Sequence, residues 1–75
     1  MRSIGVDLHS NSLTACYLNQ DKSEQLRTLS LKELQTFKES LLADDEVAVE
    51  ATNNVRWFVE QIRPLVSRVV IVNPS

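Results

Sequence analysis

Seventy-five residues carry at most one domain with a small core, and 43% hydrophobic with 24% charged residues is the balance of a folded globular chain. Eight basic against ten acidic residues leave a net charge of −2, which excludes a domain that grips a phosphate backbone by its own charge. One cysteine and one histidine exclude an internal disulfide and a zinc cluster; no apolar stretch reaches membrane-span length and no signal-peptide pattern opens the chain.

The first element is a strand over Ile4 to His9, with Ile4, Val6 and Leu8 on one face and Gly5 and Asp7 on the other. His9-Ser10-Asn11-Ser12 is a polar turn, and Leu13 to Leu18 is a second strand. Cys16 within it is expected to be a buried structural thiol rather than a nucleophile, in keeping with a reducing cytosol. A turn at Asn19-Gln20-Asp21-Lys22 leads to a third strand, Gln25 to Leu29, whose polar alternation suits an exposed edge. Short turns between the three strands predict an antiparallel meander.

The period then changes. Ser30-Leu31-Lys32-Glu33 is a capping box, followed by a helical stripe of Leu31, Leu34, Phe37, Leu41 and Leu42 that Asp44-Asp45 ends. Glu46 to Ala51 returns to strand. Thr52-Asn53-Asn54 can cap a second helix with Val55, Phe58, Val59, Ile62 and Val66 on its core face, and Pro64 should kink or end it. Arg68 to Val72 reads as a strand buried on both faces, stopped by Asn73-Pro74-Ser75.

The order β-β-β-α-β-α-β favours right-handed crossovers, and hence a mixed α/β sheet in the order 3-2-1-4-5, the layout of the ribonuclease H-like fold. In that layout the first and fourth strands are parallel neighbours, bringing Asp7 and Glu50 together near their carboxyl ends, where open sheets bind ligands. Acids in apolar strands need a partner. Two adjacent carboxylates suit Mg²⁺ or Mn²⁺, hard cations that take oxygen ligands. The opposing reading has Asp7 facing solvent at a strand end and Glu50 favouring the dipole of the following helix; spacing alone weighs the two equally. An actin-like ATPase or sugar kinase shares the sheet order and is the alternative. Its phosphate hairpin needs glycines, however, and Gly5 is the only glycine. A non-catalytic interaction module is the third class.

Ile4-Gly5-Val6-Asp7-Leu8-His9-Ser10, Val49-Glu50-Ala51-Thr52 and Val70-Ile71-Val72-Asn73-Pro74, in this order and spacing, resemble the amino-terminal part of the DEDD transposases of insertion sequence family 110 and related site-specific DNA invertases. The resemblance covers essentially the whole chain. It implies a RuvC-like catalytic domain in a bacterial cytoplasm, with Asp7 and Glu50 as the first two of four metal-binding acids. The other two acids would follow the Asn-Pro motif, so residues 1–75 would be an amino-terminal fragment, inactive alone and binding metal weakly. DNA, a guide RNA and the remainder of the recombinase are the implied partners. Where the family commonly has two glycines after Glu-Ala-Thr, this chain has Asn53 and Asn54, the residue type that best tolerates left-handed backbone.

His9 is expected as a polar strand-end residue with an outer-shell role beside Asp7 open to it. Trp57, off the apolar stripe, is expected to be partly buried by a neighbouring segment, with an interface to the absent portion as the intermediate possibility. Arg56, Arg63 and Arg68 are expected to be solvated. Val69 to Val72 should form an apolar edge without a covering helix, which predicts a homo-oligomer.

Overall fold

The structure is a computed structural model in which residues 1–73 are described. Five strands form one sheet in the order β3-β2-β1-β4-β5: β1 Ser3–Leu8, β2 Ser12–Leu18, β3 Glu24–Ser30, β4 Glu46–Glu50 and β5 Arg68–Val72. β1, β2 and β3 are antiparallel, while β4 runs parallel to both β1 and β5. The mixed α/β sheet and its strand order are as the chain pattern predicts.

Strict alternation decides which face is covered. Ile4, Val6 and Leu8 of β1, Leu13, Ala15 and Tyr17 of β2, and Val47 and Val49 of β4 are all buried. They meet Leu34 and Phe37 of α1 (Leu34–Glu39) and Phe58, Val59 and Ile62 of α2 (Val55–Ile62). Both helices thus lie on one face, with the Phe37 and Phe58 rings 5.9 Å apart between them. The other face has no covering layer among the described residues.

The first helix is shorter than its apolar stripe predicts. Leu31–Glu33 form a 3₁₀ turn entered through the expected cap: Ser30 Oγ accepts from the Lys32 N–H at 3.2 Å, and Glu33 Oε1 accepts from the Ser30 N–H at 3.4 Å. α1 ends at Glu39, where the Ser40 hydroxyl donates back to the Phe37 carbonyl at 2.6 Å. Leu41 packs against the core, but Leu42 is exposed because its N–H turns to Asp45 Oδ2 at 2.7 Å. Pro64 ends α2 as expected, in a 3₁₀ turn over Arg63–Leu65.

Asp45 corrects its reading as a mere helix terminator. Its side chain is wholly buried and holds Arg2 in a two-pronged pair, Nε to Oδ1 at 3.0 Å and Nη2 to Oδ2 at 2.7 Å. Arg2 also donates to the Ser40 carbonyl at 2.8 Å and lies 5.0 Å over the Tyr17 ring, whose hydroxyl is 2.9 Å from Ser40 Oγ. Donating to the Asp45 carboxylate raises the Arg2 pKa further, so the guanidinium is charged at any working pH. This cluster closes the helix layer at the amino-terminal ends of β1 and β4.

Two further expectations change. β5 is not buried on both faces: Val69 and Val70 are half-buried while Ile71 and Val72 are exposed, because β5 is an edge strand with β4 as its one neighbour among the described residues. The expected stop begins at Asn73; Pro74 and Ser75 lie outside the described residues. Cys16 is a half-buried free thiol on the uncovered face rather than a core residue, since β2 turns Ala15 and Tyr17 inward.

Candidate metal centre on the uncovered sheet face

The parallel pairing of β1 with β4 reaches Val6 opposite Val49, which sets Asp7 and Glu50 level at the next step, at the carboxyl ends of both strands. Both point away from the helices and line one shallow hollow with Gly5, Thr14, Cys16, Ala48 and Val72. The structure therefore brings the two sequence-predicted acids onto one face. Neither is buried: the Asp7 side chain is 61% exposed and Glu50 is also exposed. The apolar flanks that make these acids look misplaced belong to the opposite face, so the fold exacts no desolvation cost from them.

His9, in the β1–β2 turn, stands with Nε2 3.3 Å from Asp7 Oδ2, an ion pair when the imidazole is protonated. It can orient the Asp7 carboxylate while using one of its two oxygens. The turn itself is closed by the His9 N–H donating to the Ser12 carbonyl at 2.8 Å. None of its residues has a positive φ, so it offers no αR-αL nest for a nucleotide phosphate.

Two hydroxyls are level with the acids, and the sequence reading missed them. Antiparallel register sets Thr14 opposite Asp7 and Thr28 opposite Thr14, with their Oγ1 atoms 3.2 Å apart. One row across the sheet therefore reads Thr28, Thr14, Asp7, Glu50, Val72. Strand alternation puts Thr14 on this face from sequence alone, but its level with Asp7 depends on the hairpin register. The next row reads Leu26, Cys16, Gly5, Ala48, Val70. A Cβ placed on Gly5 would meet nothing within 4 Å, so this glycine answers no steric need within the chain.

The remaining candidates lie elsewhere. Trp57 lies off the buried face of α2 formed by Phe58, Val59 and Ile62 and is 45% exposed, more open to solvent than the expected partial burial. Arg56, Arg63 and Arg68 are solvent-exposed as expected. Asn53 and Asn54 reach the helix without left-handed backbone, since Lys22 is the one non-glycine residue of positive φ among those described. Asn54 occupies the N-cap of α2 but makes no side-chain capping bond; the backbone closes the turn, with the Val55 N–H donating to the Thr52 carbonyl at 3.2 Å.

No three metal-ligating side chains converge among the described residues. The donor set at Asp7 and Glu50 fits a cation that keeps most of its waters: Mg²⁺ is commonly held by one or two carboxylates, with substrate phosphates completing the shell. No family model matches the chain, and comparison with curated proteins gave no match.

Proposed function

We propose that the chain is the part of a nucleic-acid-processing enzyme that supplies half of a divalent-metal site, the RuvC-like amino-terminal portion of a DEDD transposase or site-specific recombinase. The observation that supports this reading best is the placement of Asp7 and Glu50 on one uncovered face, at the carboxyl ends of adjacent parallel strands. Open α/β sheets bind ligands at such ends. A metal bound there supplies Lewis-acid stabilisation and an activated oxygen nucleophile for phosphoryl transfer. Asp7 and Glu50 are the oxygen donors, His9 holds the Asp7 carboxylate in place, and Thr14 offers a neutral donor beside them. With two carboxylates the site needs more ligands from outside these residues, so metal affinity is weak and no cleavage is expected from the chain alone.

Nuclear magnetic resonance with Mn²⁺ tests the site. Paramagnetic broadening should centre on the amides of Asp7 to His9 and Glu50 to Ala51, and vanish in the Asp7→Asn, Glu50→Gln double variant. Broadening centred elsewhere, persisting in that variant, or absent at millimolar Mn²⁺ would remove the pair as a metal site.

A further inference from the structure

We propose that a second copy of this chain pairs with it edge to edge along β5, antiparallel and centred on Val70, so that two five-stranded sheets join into one.

The hydrogen-bonding phase of β5 selects that register. The Ala51 N–H donates to the Val72 carbonyl at 2.9 Å, so Val72 directs its peptide groups toward β4. Alternation along the strand then turns Val70 and Arg68 the same way, and leaves the N–H and C=O groups of Val69 and Ile71 facing outward. A two-fold axis at Val70 sets Val69 opposite the partner's Ile71 and Ile71 opposite the partner's Val69. These are hydrogen-bonded pairs, so all four outward groups of each copy find partners.

Side chains agree with the register. On the helix face, Val69 and Ile71 meet their counterparts, covering an Ile71 that is 47% exposed in the single chain. On the uncovered face, Val70 meets its own copy, and Arg68 lies opposite the partner's Val72, next in the row to the partner's Glu50. No like charges are opposed across the axis, and each guanidinium approaches a carboxylate of the other copy.

The other edge is built differently. β3 carries Glu24, Gln25, Arg27 and Thr28 along its length, the charged and polar protection that keeps edges apart, whereas Arg68 is the one charged residue of β5. A strand of some other protein could use the β5 edge, but self-complementarity about Val70 favours a second copy.

The joined sheet presents both Asp7–Glu50 pairs on one continuous face. Five strand spacings separate the two β1 strands, about 24 Å. The dimer does not depend on metal binding, so either proposal can fail alone.

Cysteine crosslinking with sedimentation is the test, in a Cys16→Ser background that removes the native thiol. Val70→Cys should oxidise to a disulfide-linked dimer, since opposed residues of a non-hydrogen-bonded pair have the Cα separation a disulfide needs. Ile71→Cys should not, because it faces the partner's Val69. The unsubstituted chain should sediment as a dimer at millimolar concentration and the Ile71→Lys variant as a monomer. A monomeric unsubstituted chain overturns the proposal, as does crosslinking through residue 71 equal to that through residue 70. A dimer that Val70→Cys fails to crosslink overturns the register, and if Ile71→Lys unfolds, the crosslinking pair decides.

Discussion

Replacing Asp45 with alanine should cost this domain a large share of its stability. The substitution removes both hydrogen bonds to Arg2, at 3.0 and 2.7 Å, and the acceptor for the Leu42 N–H at 2.7 Å. Arg2 keeps only 20% of its side-chain exposure in the fold, so water cannot fully replace the lost partner. Breaking such a pair from one side costs about 3–5 kcal/mol. A chain of 75 residues has a total stability of roughly 4–11 kcal/mol. The variant should therefore sit near the edge of folding, with its thermal midpoint lowered by at least about 12 °C. Asp45→Asn, which keeps one acceptor oxygen, should fall between. Removing both charges together, in Arg2→Ala with Asp45→Ala, should cost less than the sum of the single changes, because no unpaired charge is left behind. Urea unfolding of the four proteins measures this cycle. A loss below about 1 kcal/mol for Asp45→Ala, or strict additivity, would show that the pair behaves like an exposed surface contact and refute the reasoning.

Lys22 stands at φ 68° in the β2–β3 turn, where the Lys22 N–H donates to the Asn19 carbonyl at 2.9 Å. Glycine there should stabilise by about 1 kcal/mol in urea unfolding, since left-handed backbone costs an L-residue roughly that much. Gly5→Ala should also stabilise, by about 0.5–1 kcal/mol in the same assay, because the added methyl enters open space and glycine weakens a strand interior. Asp21 accepts from the Ser23 hydroxyl at 2.6 Å and the Ser23 N–H at 2.9 Å, and these bonds, the hydroxyl first, hold its carboxyl below the ordinary 3.8. A depressed folded-state pKa stabilises above the unfolded value and is lost as pH falls through the folded one. Ser23→Ala should move the Asp21 titration, followed by carbon-detected resonance, upward toward 3.8 and weaken that acid-side dependence.

Alternation carried most of the fold into the sequence. Ile4, Val6 and Leu8 against Gly5 and Asp7 name the covered face of β1, and the run of helix and strand after Ser30 leaves few topologies. From those the placement of Asp7 beside Glu50 follows. The Asp45–Arg2 pair was not legible, because its partners are 43 residues apart and nothing local distinguishes Asp45 from the exposed Asp44. The length of α1 was hidden because the Leu42 N–H turns to an Asp45 carboxylate three residues on, and that carboxylate is held in place by the distant Arg2, which overrides a continuing apolar stripe. Cys16 was misplaced by composition alone, since its apolar neighbours in sequence lie on the other side of the sheet.

The acids of this chain divide by end of the sheet. At the amino-terminal ends of β1 and β4, Asp45 is buried, fully hydrogen-bonded and tied to Arg2, as an acid kept for structure must be. At the carboxyl ends, Asp7 and Glu50 are exposed, and His9 beside Asp7 is itself 54% exposed. Removing those charges should leave folding almost untouched, within about 0.5 kcal/mol for Asp7→Asn or Glu50→Gln, as for surface substitutions. Because the fold gains nothing from two carboxylates set level on adjacent strands, an effect of these substitutions on Mn²⁺ binding reads as loss of ligands rather than loss of structure. A large stability change on removing either acid would reverse that inference and return the pair to a structural role.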